Sequence, residues 1–270
     1  MSIPKVIHLC WFGRGEFPQL AIKCIDSWKQ MLPTYTIRLW NEDSFSVDSV
    51  PYTKEAYANH KWAFVSDYVR LYALYHYGGV YMDTDLEVVK DFSPLLQGKK
   101  YVSSYIEGGL ITAGFIASES KHPFIRNLLQ YYEERHFIGK DGSLDIAMNP
   151  LIFTATAMKL YGFDMTKRSF ENQFICIYPL ETFMPYRKTI LNNTMNHSNY
   201  HITANTYAIH HDMGSWASPN PIKKTVKGIA RLLMPEAVYL LIKRKRNAAI
   251  IEQQKTNQVV EERMDGSTNQ

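Results

Sequence analysis

Cysteine is scarce in this 270-residue chain, and the three present, Cys10, Cys24 and Cys176, form no CxxC or other metal-type spacing. That excludes a disulfide framework and a zinc ribbon, and the three read as reduced core thiols. The first residues, MSIPKVIHLCWFG, lack a charged segment followed by an apolar stretch and a small-residue cleavage site. No run approaches the roughly 18 consecutive apolar residues of a membrane-spanning helix. The expectation is therefore a cytoplasmic protein, in which the sequons at Asn192 and Asn196 carry no glycan. GxGxxG and Walker-type loops are also missing, which weighs against dinucleotide enzymes and P-loop NTPases, and there is no internal repeat.

What is present is an apolar fraction of 46% with 13% aromatic residues, a globular composition. Charge is unevenly placed. Residues 1–221 hold 20 bases and 21 acids, whereas residues 222–246 hold eight bases against the single acid Glu236. Those bases alternate with Ile229, Leu232, Leu233, Val238, Leu240, Leu241 and Ile242. Such a pattern makes a basic amphipathic helical tail over 221–270, either packed on a main domain of residues 1–220 or lying on an anionic membrane surface. It lacks the aromatic interleaving of a nucleic-acid binder, so none is expected as a partner.

Periodicity orders the elements. Lys5 to Phe12 reads as a buried strand ending at Gly13, Pro18 to Met31 as a helix, and Tyr35 to Trp40 as a second strand. Trp62 to Tyr77 has apolar residues around most of its circumference before the stop at Gly78 and Gly79. VYMDTDLEVV follows, a strand whose end carries Asp83 and Asp85. Further strands fit Tyr101–Ile106, Ile111–Ala117, Phe174–Tyr178 and Tyr207–His211, with helices over His122–His136 and Leu144–Tyr161. Strands alternating with helices predict an α/β fold with a mostly parallel central sheet, whose ligands sit at the carboxyl ends of the strands.

Chemistry-bearing residues gather at those ends. Asp83 and Asp85 are two carboxylates one residue apart, able to converge on Mg²⁺ or Mn²⁺ or to form a solvated acidic turn. Ser66, Asp67 and Arg70 interrupt an apolar helix. Asp67 and Arg70, three apart on one face, make either a buried ion pair or a pair that grips sugar hydroxyls and phosphate oxygens. Trp11 offers a flat ring for a nucleobase or sugar, or belongs to the core. His210 and His211 adjoin the end of a strand, where only one can face the carboxylates as a further ligand.

Taken together, IPKVIHLCWFG, the Trp40–Asn41–Glu42 trio, AFVSDYVRLYALYHYGGVYMDTDLEV and AIHHDMGSW resemble the glycosyltransferases with a DxD-type sugar-binding region (family 32 type). That family includes yeast-type α-1,6-mannosyltransferases and bacterial capsular and surface polysaccharide enzymes. The resemblance runs over about residues 3 to 216 and implies a GT-A type nucleotide-sugar-binding fold, Mn²⁺ or Mg²⁺, and a retaining hexosyltransferase. By position it implies Trp11 on the donor's base with Ile7 and His8 beside it, and Ser66, Asp67 and Arg70 at the donor sugar. Asp83, Asp85 and His210 or His211 would hold the metal, and Ser215 with Trp216 would cap the diphosphate. Asn149 is a candidate on the acceptor side, where the match loosens.

The expected partners are a UDP- or GDP-sugar and a saccharide or lipid-linked saccharide acceptor. Surface polysaccharide assembly at the inner face of the cell membrane is the expected setting. A protein-modifying glycosyltransferase, a metal-dependent phosphohydrolase or nucleotidyltransferase, and a non-enzymatic binding module are the alternatives.

Overall fold

A computed structural model describes residues 2–186, 197, 200–212 and 241–253. Its frame is a seven-stranded sheet in the order β2-β1-β3-β6-β5-β8-β7. These strands are β1 (Val6–Cys10), β2 (Thr36–Trp40), β3 (Gly79–Met82), β5 (Tyr101–Ser104), β6 (Phe115–Ser118), β7 (Phe170–Glu171) and β8 (Cys176–Tyr178). A separate two-stranded sheet pairs β4 (Leu86–Val88) with β9 (Ala208–His210). In the large sheet β1 runs parallel to both β2 and β3, and β5 runs parallel to β8. Strand β6 lies antiparallel between β3 and β5, and β7 antiparallel to β8 at the edge. The pairings thus give β1, β2, β3, β5 and β8 one direction, and their carboxyl ends share one edge. This is the expected α/β fold with a mostly parallel central sheet.

The helices are α1 (Gln19–Met31), α2 (Pro51–Ala58), α3 (Trp62–Tyr77), α4 (Ser93–Leu96), α5 (Pro123–Gln130), α6 (Asn149–Tyr161) and α7 (Leu180–Phe183). Two buried clusters mark two faces of the sheet. On one, α3, α5 and α6 pack with Tyr81, Tyr101 and Ile116; on the other, Trp28 of α1 packs with Ile7, Val80, Phe92 and Phe115. Helix α3 is the central one, with Val65, Val69, Leu71, Ala73 and Leu74 all fully buried, so its near-continuous apolar circumference is explained by partners on several sides. Gly78 ends it at φ +66° and Gly79 follows at φ +106°; a Cβ on Gly79 would lie 2.5 Å from the Val6 carbonyl of β1. The glycine pair therefore lets the chain leave α3 and enter β3 directly against β1.

The three cysteines are buried free thiols, as the sequence indicates, and burial raises Cys24 to about 12 and Cys176 to about 11. Residues 241–253 are helical, with Ile251 buried and Ile250 packed against the core. Their inner face is pinned by Lys243 Nζ on Glu107 at 2.9 Å and by Asn247 Nδ2 donating to Gly108 O at 3.2 Å. Lys245 and Arg246 face outward. The remainder of the basic tail lies outside the described residues.

Two histidines are built into the frame as neutral rings. His8 on β1 is fully buried; it accepts from Trp40 Nε1 at 3.1 Å through Nδ1, so Nε2 donates to Gly78 O at 2.8 Å. His122 accepts from Phe124 N through Nδ1 at 3.2 Å and donates to Phe174 O at 3.1 Å. Desolvation lowers each from the ordinary 6.5 to about 4. Unfolding releases rings that bind protons near 6.5, so between about 6.5 and 4 the unfolded state holds more protons and stability falls as pH falls. From pH 7 to 5 the cost is about 2 kcal/mol per histidine. In urea titrations, His8→Gln should lose less stability than the parent over that interval; equal pH slopes would contradict the assignment.

Candidate active site

The DXD stretch is not the end of an extended strand but a tight turn. Strand β3 stops at Met82, Asp83 O accepts from Leu86 N at 3.0 Å, and β4 begins. Reversal of the chain, rather than the two-residue repeat of a strand, brings the Asp83 and Asp85 side chains together. Antiparallel pairing of β4 with β9 sets His210 opposite Leu86, and the His211 peptide N–H closes onto Asp85 O at 2.9 Å. His210 Nε2 consequently lies 3.1 Å from Asp85 Oδ1 and 3.5 Å from Asp83 Oδ2. One donor atom from each of the three lies within 4.8 Å of the others.

The donor set fits a divalent cation. Two carboxylate oxygens and an imidazole nitrogen are ligands that Mn²⁺ or Mg²⁺ accepts, and His210 Nδ1 sits 2.8 Å from the Asp212 carboxylate, the outer contact that orients a ligating histidine. Gly114 borders the same space: a Cβ there would come within 2.8 Å of Asp83 Oδ2 and 3.3 Å of His210 Nε2. Burial alone would lower His210, yet Asp85, Asp212 and Asp83 around it push it well above its ordinary value. Gly114→Ala is expected to push the Asp83 side chain aside and weaken Mn²⁺ binding by about 10–100-fold with little loss of fold. Mn²⁺ titration by calorimetry checks this, and parent-like affinity would contradict it.

Asp83 joins this cradle to a second cluster. Its carboxyl is held below the usual carboxylate range: burial would raise it, but the Arg70 guanidinium, His210 and the Tyr81 hydroxyl outweigh that. Tyr81 donates to Asp83 Oδ1 at 2.8 Å, and Arg70 Nη1 lies 3.6 Å from the same oxygen. Arg70 also donates to Ala113 O at 2.9 Å and pairs with Asp67 Oδ1 at 2.9 Å. Its own burial works against the charge, but Tyr81, Asp83 and Asp67 hold it ionised. Burial pushes Asp67 up to about 7 against the pull of Arg70. Asn149, at the start of α6, donates to Asp67 Oδ1 at 3.0 Å and to Asp67 O at 3.1 Å, and Tyr132 donates its hydroxyl to Asn149 Oδ1 at 2.5 Å. Of the two alternatives read for Asp67 and Arg70, the structure shows the buried ion pair, and it adjoins the carboxylate cradle.

Several expected site residues sit elsewhere. Ile7 and His8 are fully buried on opposite faces of β1, a strand paired on both sides. The His211 ring is engaged away from the Asp83–Asp85–His210 cluster. It is buried, with Nε2 2.9 Å from Glu87 Oε2 and Nδ1 3.0 Å from the Tyr200 hydroxyl, which leaves His210 to face the cradle. Ser66 donates its hydroxyl to Trp62 O at 3.2 Å within α3. Trp11 is half-buried just past the end of β1, its ring 4.7 Å from Phe17 and its Nε1 on Gly15 O at 2.6 Å. Ser215 and Trp216 lie outside the described residues.

Residues 18–102 match the family model described as "Glycosyltransferase sugar-binding region containing DXD motif". The match takes in Asp67, Arg70, Asp83 and Asp85 and stops short of Gly114, Asn149 and His210. Among curated relatives, the chain is 29% identical over 144 residues to inositol phosphoceramide mannosyltransferase 3 of Schizosaccharomyces pombe, covering 50% of this chain and 40% of that protein. It is 26% identical over 147 residues to mannosyl phosphorylinositol ceramide synthase CSH1 of Saccharomyces cerevisiae, covering 50% and 38%. The chain thus spans about half or less of the length of these relatives. Solved structures similar to it include the PaToxG glycosyltransferase, at 23% identity and TM-score 0.48 over 61% of this chain and 71% of that one. Another is the galactosyltransferase LgtC, at 13% identity and TM-score 0.42 over 86% and 98%.

Proposed function

We propose that the protein is a metal-dependent retaining glycosyltransferase that moves a hexose from a UDP- or GDP-sugar to a saccharide or lipid-linked saccharide. The observation that carries this reading is the meeting of the Asp83–Asp85–His210 cradle with the Arg70–Asp67 pair at the carboxyl end of β3. Asp83, Asp85 and His210 would hold Mn²⁺ or Mg²⁺, which when bound would offset the charge of the departing nucleoside diphosphate. Arg70, rigid between Ala113 O, Asp67 and Asp83, presents fixed positive charge beside that place without needing to reorganise. Asp67, fixed by Asn149, offers a carboxylate oxygen to a sugar hydroxyl. Trp11 would stack on the donor's base, its half-buried ring lying at the same edge of the sheet.

Retention of configuration comes from the family resemblance, and an acceptor attacking on the leaving-group face fits it without a covalent nucleophile. For the setting, surface polysaccharide assembly remains our proposal. The named yeast relatives favour the lipid-linked form of acceptor, their names specifying inositol phosphoceramide and phosphorylinositol ceramide. Among the described residues no helix is long and apolar enough to cross a membrane. We place peripheral contact with an anionic inner membrane face on the outward bases of the tail, including Lys245 and Arg246.

The test is transfer of a radiolabelled hexose from each nucleotide-sugar to soluble oligosaccharides and to a lipid extract, followed by NMR of the product's anomeric proton. An α product from an α donor supports retention. An inverted product, or hydrolysis of nucleotide without transfer to any acceptor, would sink the reading.

A further inference from the structure

A cavity of about 310 Å³ lined by none of the cradle residues is not used by the proposed donor chemistry. Two chain segments line both places. The turn after β5 gives Tyr105 and Gly109 to the cavity, then runs on through Ala113 and Gly114 to the cradle. Helix α7 gives Leu180 and Glu181 to the cavity, and Met184, just after it, touches the space beside Gly114. The lining also takes in Lys167, Arg168 and, from the C-terminal helical segment, Arg244. The cavity thus lies past the carboxyl ends of β5 and β8, joined to the cradle through these two segments.

Its charge is unbalanced toward cations. Lys167, Arg168 and Arg244 line it with one carboxylate, Glu181, which Arg168 engages at 2.5 Å, and Asp164, outside the lining, lies within electrostatic reach of Lys167 and Arg244. Arg244 is the telling residue. Its Nε is buried and has no hydrogen-bond partner among the described residues, while Nη1 reaches only a long 3.4 Å contact to Thr166 O. A buried guanidinium N–H left without an acceptor is costly, and its natural complement is an anionic oxygen, which a guanidinium binds through parallel N–H donors. Gly109 makes the placement possible: a Cβ there would lie 3.3 Å from Arg244 Nε and 2.4 Å from Met165 O.

We propose that this cavity is a phosphate subsite for the acceptor, with Arg244 as its principal donor and Lys167 and Arg168 at its mouth. The inference rests on the glycosyltransferase reading for the word acceptor, but phosphate binding itself does not depend on turnover. An acceptor bearing a phosphate monoester or diester would dock its anion there and turn a sugar hydroxyl toward the cradle. The C-terminal helical segment thereby becomes part of the substrate site and not only a surface appendage.

The experiment titrates inorganic phosphate into the full chain without metal or nucleotide, followed by ³¹P NMR. Saturable binding is expected, weakened roughly tenfold in Arg244→Gln, unchanged in Asp85→Asn and tightened in Glu181→Gln, whose opposite sign a merely unfolded variant cannot give. Sedimentation with phosphatidylcholine vesicles with and without phosphatidylglycerol separates the sources of the group. An Arg244-dependent gain on the anionic vesicles indicates a lipid headgroup, and vesicle binding equal in parent and Arg244→Gln indicates a soluble phosphorylated acceptor. No saturable phosphate binding, or binding lost in Asp85→Asn and kept in Arg244→Gln, overturns the proposal. If phosphate binds as expected in a protein that turns over no nucleotide-sugar, the subsite stands and the glycosyltransferase reading falls.

Discussion

Asp85→Asn is expected to lower metal-dependent nucleotide-sugar turnover by at least about 100-fold while leaving the fold in place. The magnitude follows from position. Asp85 supplies one of the three donor atoms of the cradle, and even the contacts behind a metal ligand are worth about 10–100-fold in affinity or activity. The fold survives because the backbone of Asp85, not its side chain, ties the two small strands together: its carbonyl accepts from His211 N at 2.9 Å. Asparagine keeps an oxygen for His210 but removes the charge that favours a cation. Nucleoside diphosphate release with Mn²⁺, paired with a thermal melt, reads both halves of the expectation. Turnover near that of the parent would remove the metal assignment.

Arg70→Met is expected to be the most destabilising single change in the site, by about 3–5 kcal/mol, and to abolish activity as well. Removing one partner of a buried ion pair leaves the other charge without compensation. Here two are left, Asp67 with its side chain 15% exposed and Asp83 with 27%, while Ala113 O loses its donor. The double variant Asp67→Asn with Arg70→Met should recover part of the stability, because it removes a buried charge along with its partner, and recover none of the turnover. Urea denaturation measures the first and diphosphate release the second. An Arg70→Met protein of parental stability would mean that the pair is more hydrated than its burial indicates.

The local sequence determines some of these features and is silent on others for identifiable reasons. Helix α3 is legible from Trp62 to Tyr77 because its apolar residues, its closing glycines and the carboxylates after it are all contiguous. β1, β2 and α1 are legible for the same reason, and so is the α/β class. The conformation of the DXD stretch is not, since two aspartates one residue apart suit an extended strand as well as a turn. Which histidine faces the cradle is fixed by the register of β9 on β4, a pairing across more than a hundred residues that no local pattern specifies. His8 has the composition of a site residue but finds both hydrogen-bond partners inside the core, Trp40 from β2 and the Gly78 carbonyl after α3.

Gly114, Asp212 and the Asn149 contact with Asp67 escaped the sequence reading in different ways. Gly114 matters for the side chain it lacks, and its neighbours Asp83 and His210 are distant in sequence. Asp212 directly follows the histidine pair in YAIHHDMGSW, so a carboxylate behind a ligating histidine was there to be noticed. Asn149 could be named as a candidate, but only the packing of α6 beside α3 shows that it holds Asp67. Antiparallel β6 was folded into a longer expected strand, because the turn through residues 105–114 carries apolar residues that mimic strand continuation.

The most direct test of the central claim is to incubate the purified protein with a panel of UDP- and GDP-sugars and Mn²⁺, and to follow release of the nucleoside diphosphate with Asp85→Asn alongside. The cradle and its Arg70–Asp67 neighbour predict selective release from one donor, dependent on the metal and lost in the variant. Silence across the panel together with no metal-dependent nucleotide binding, or release that is indifferent to both metal and Asp85, would contradict it.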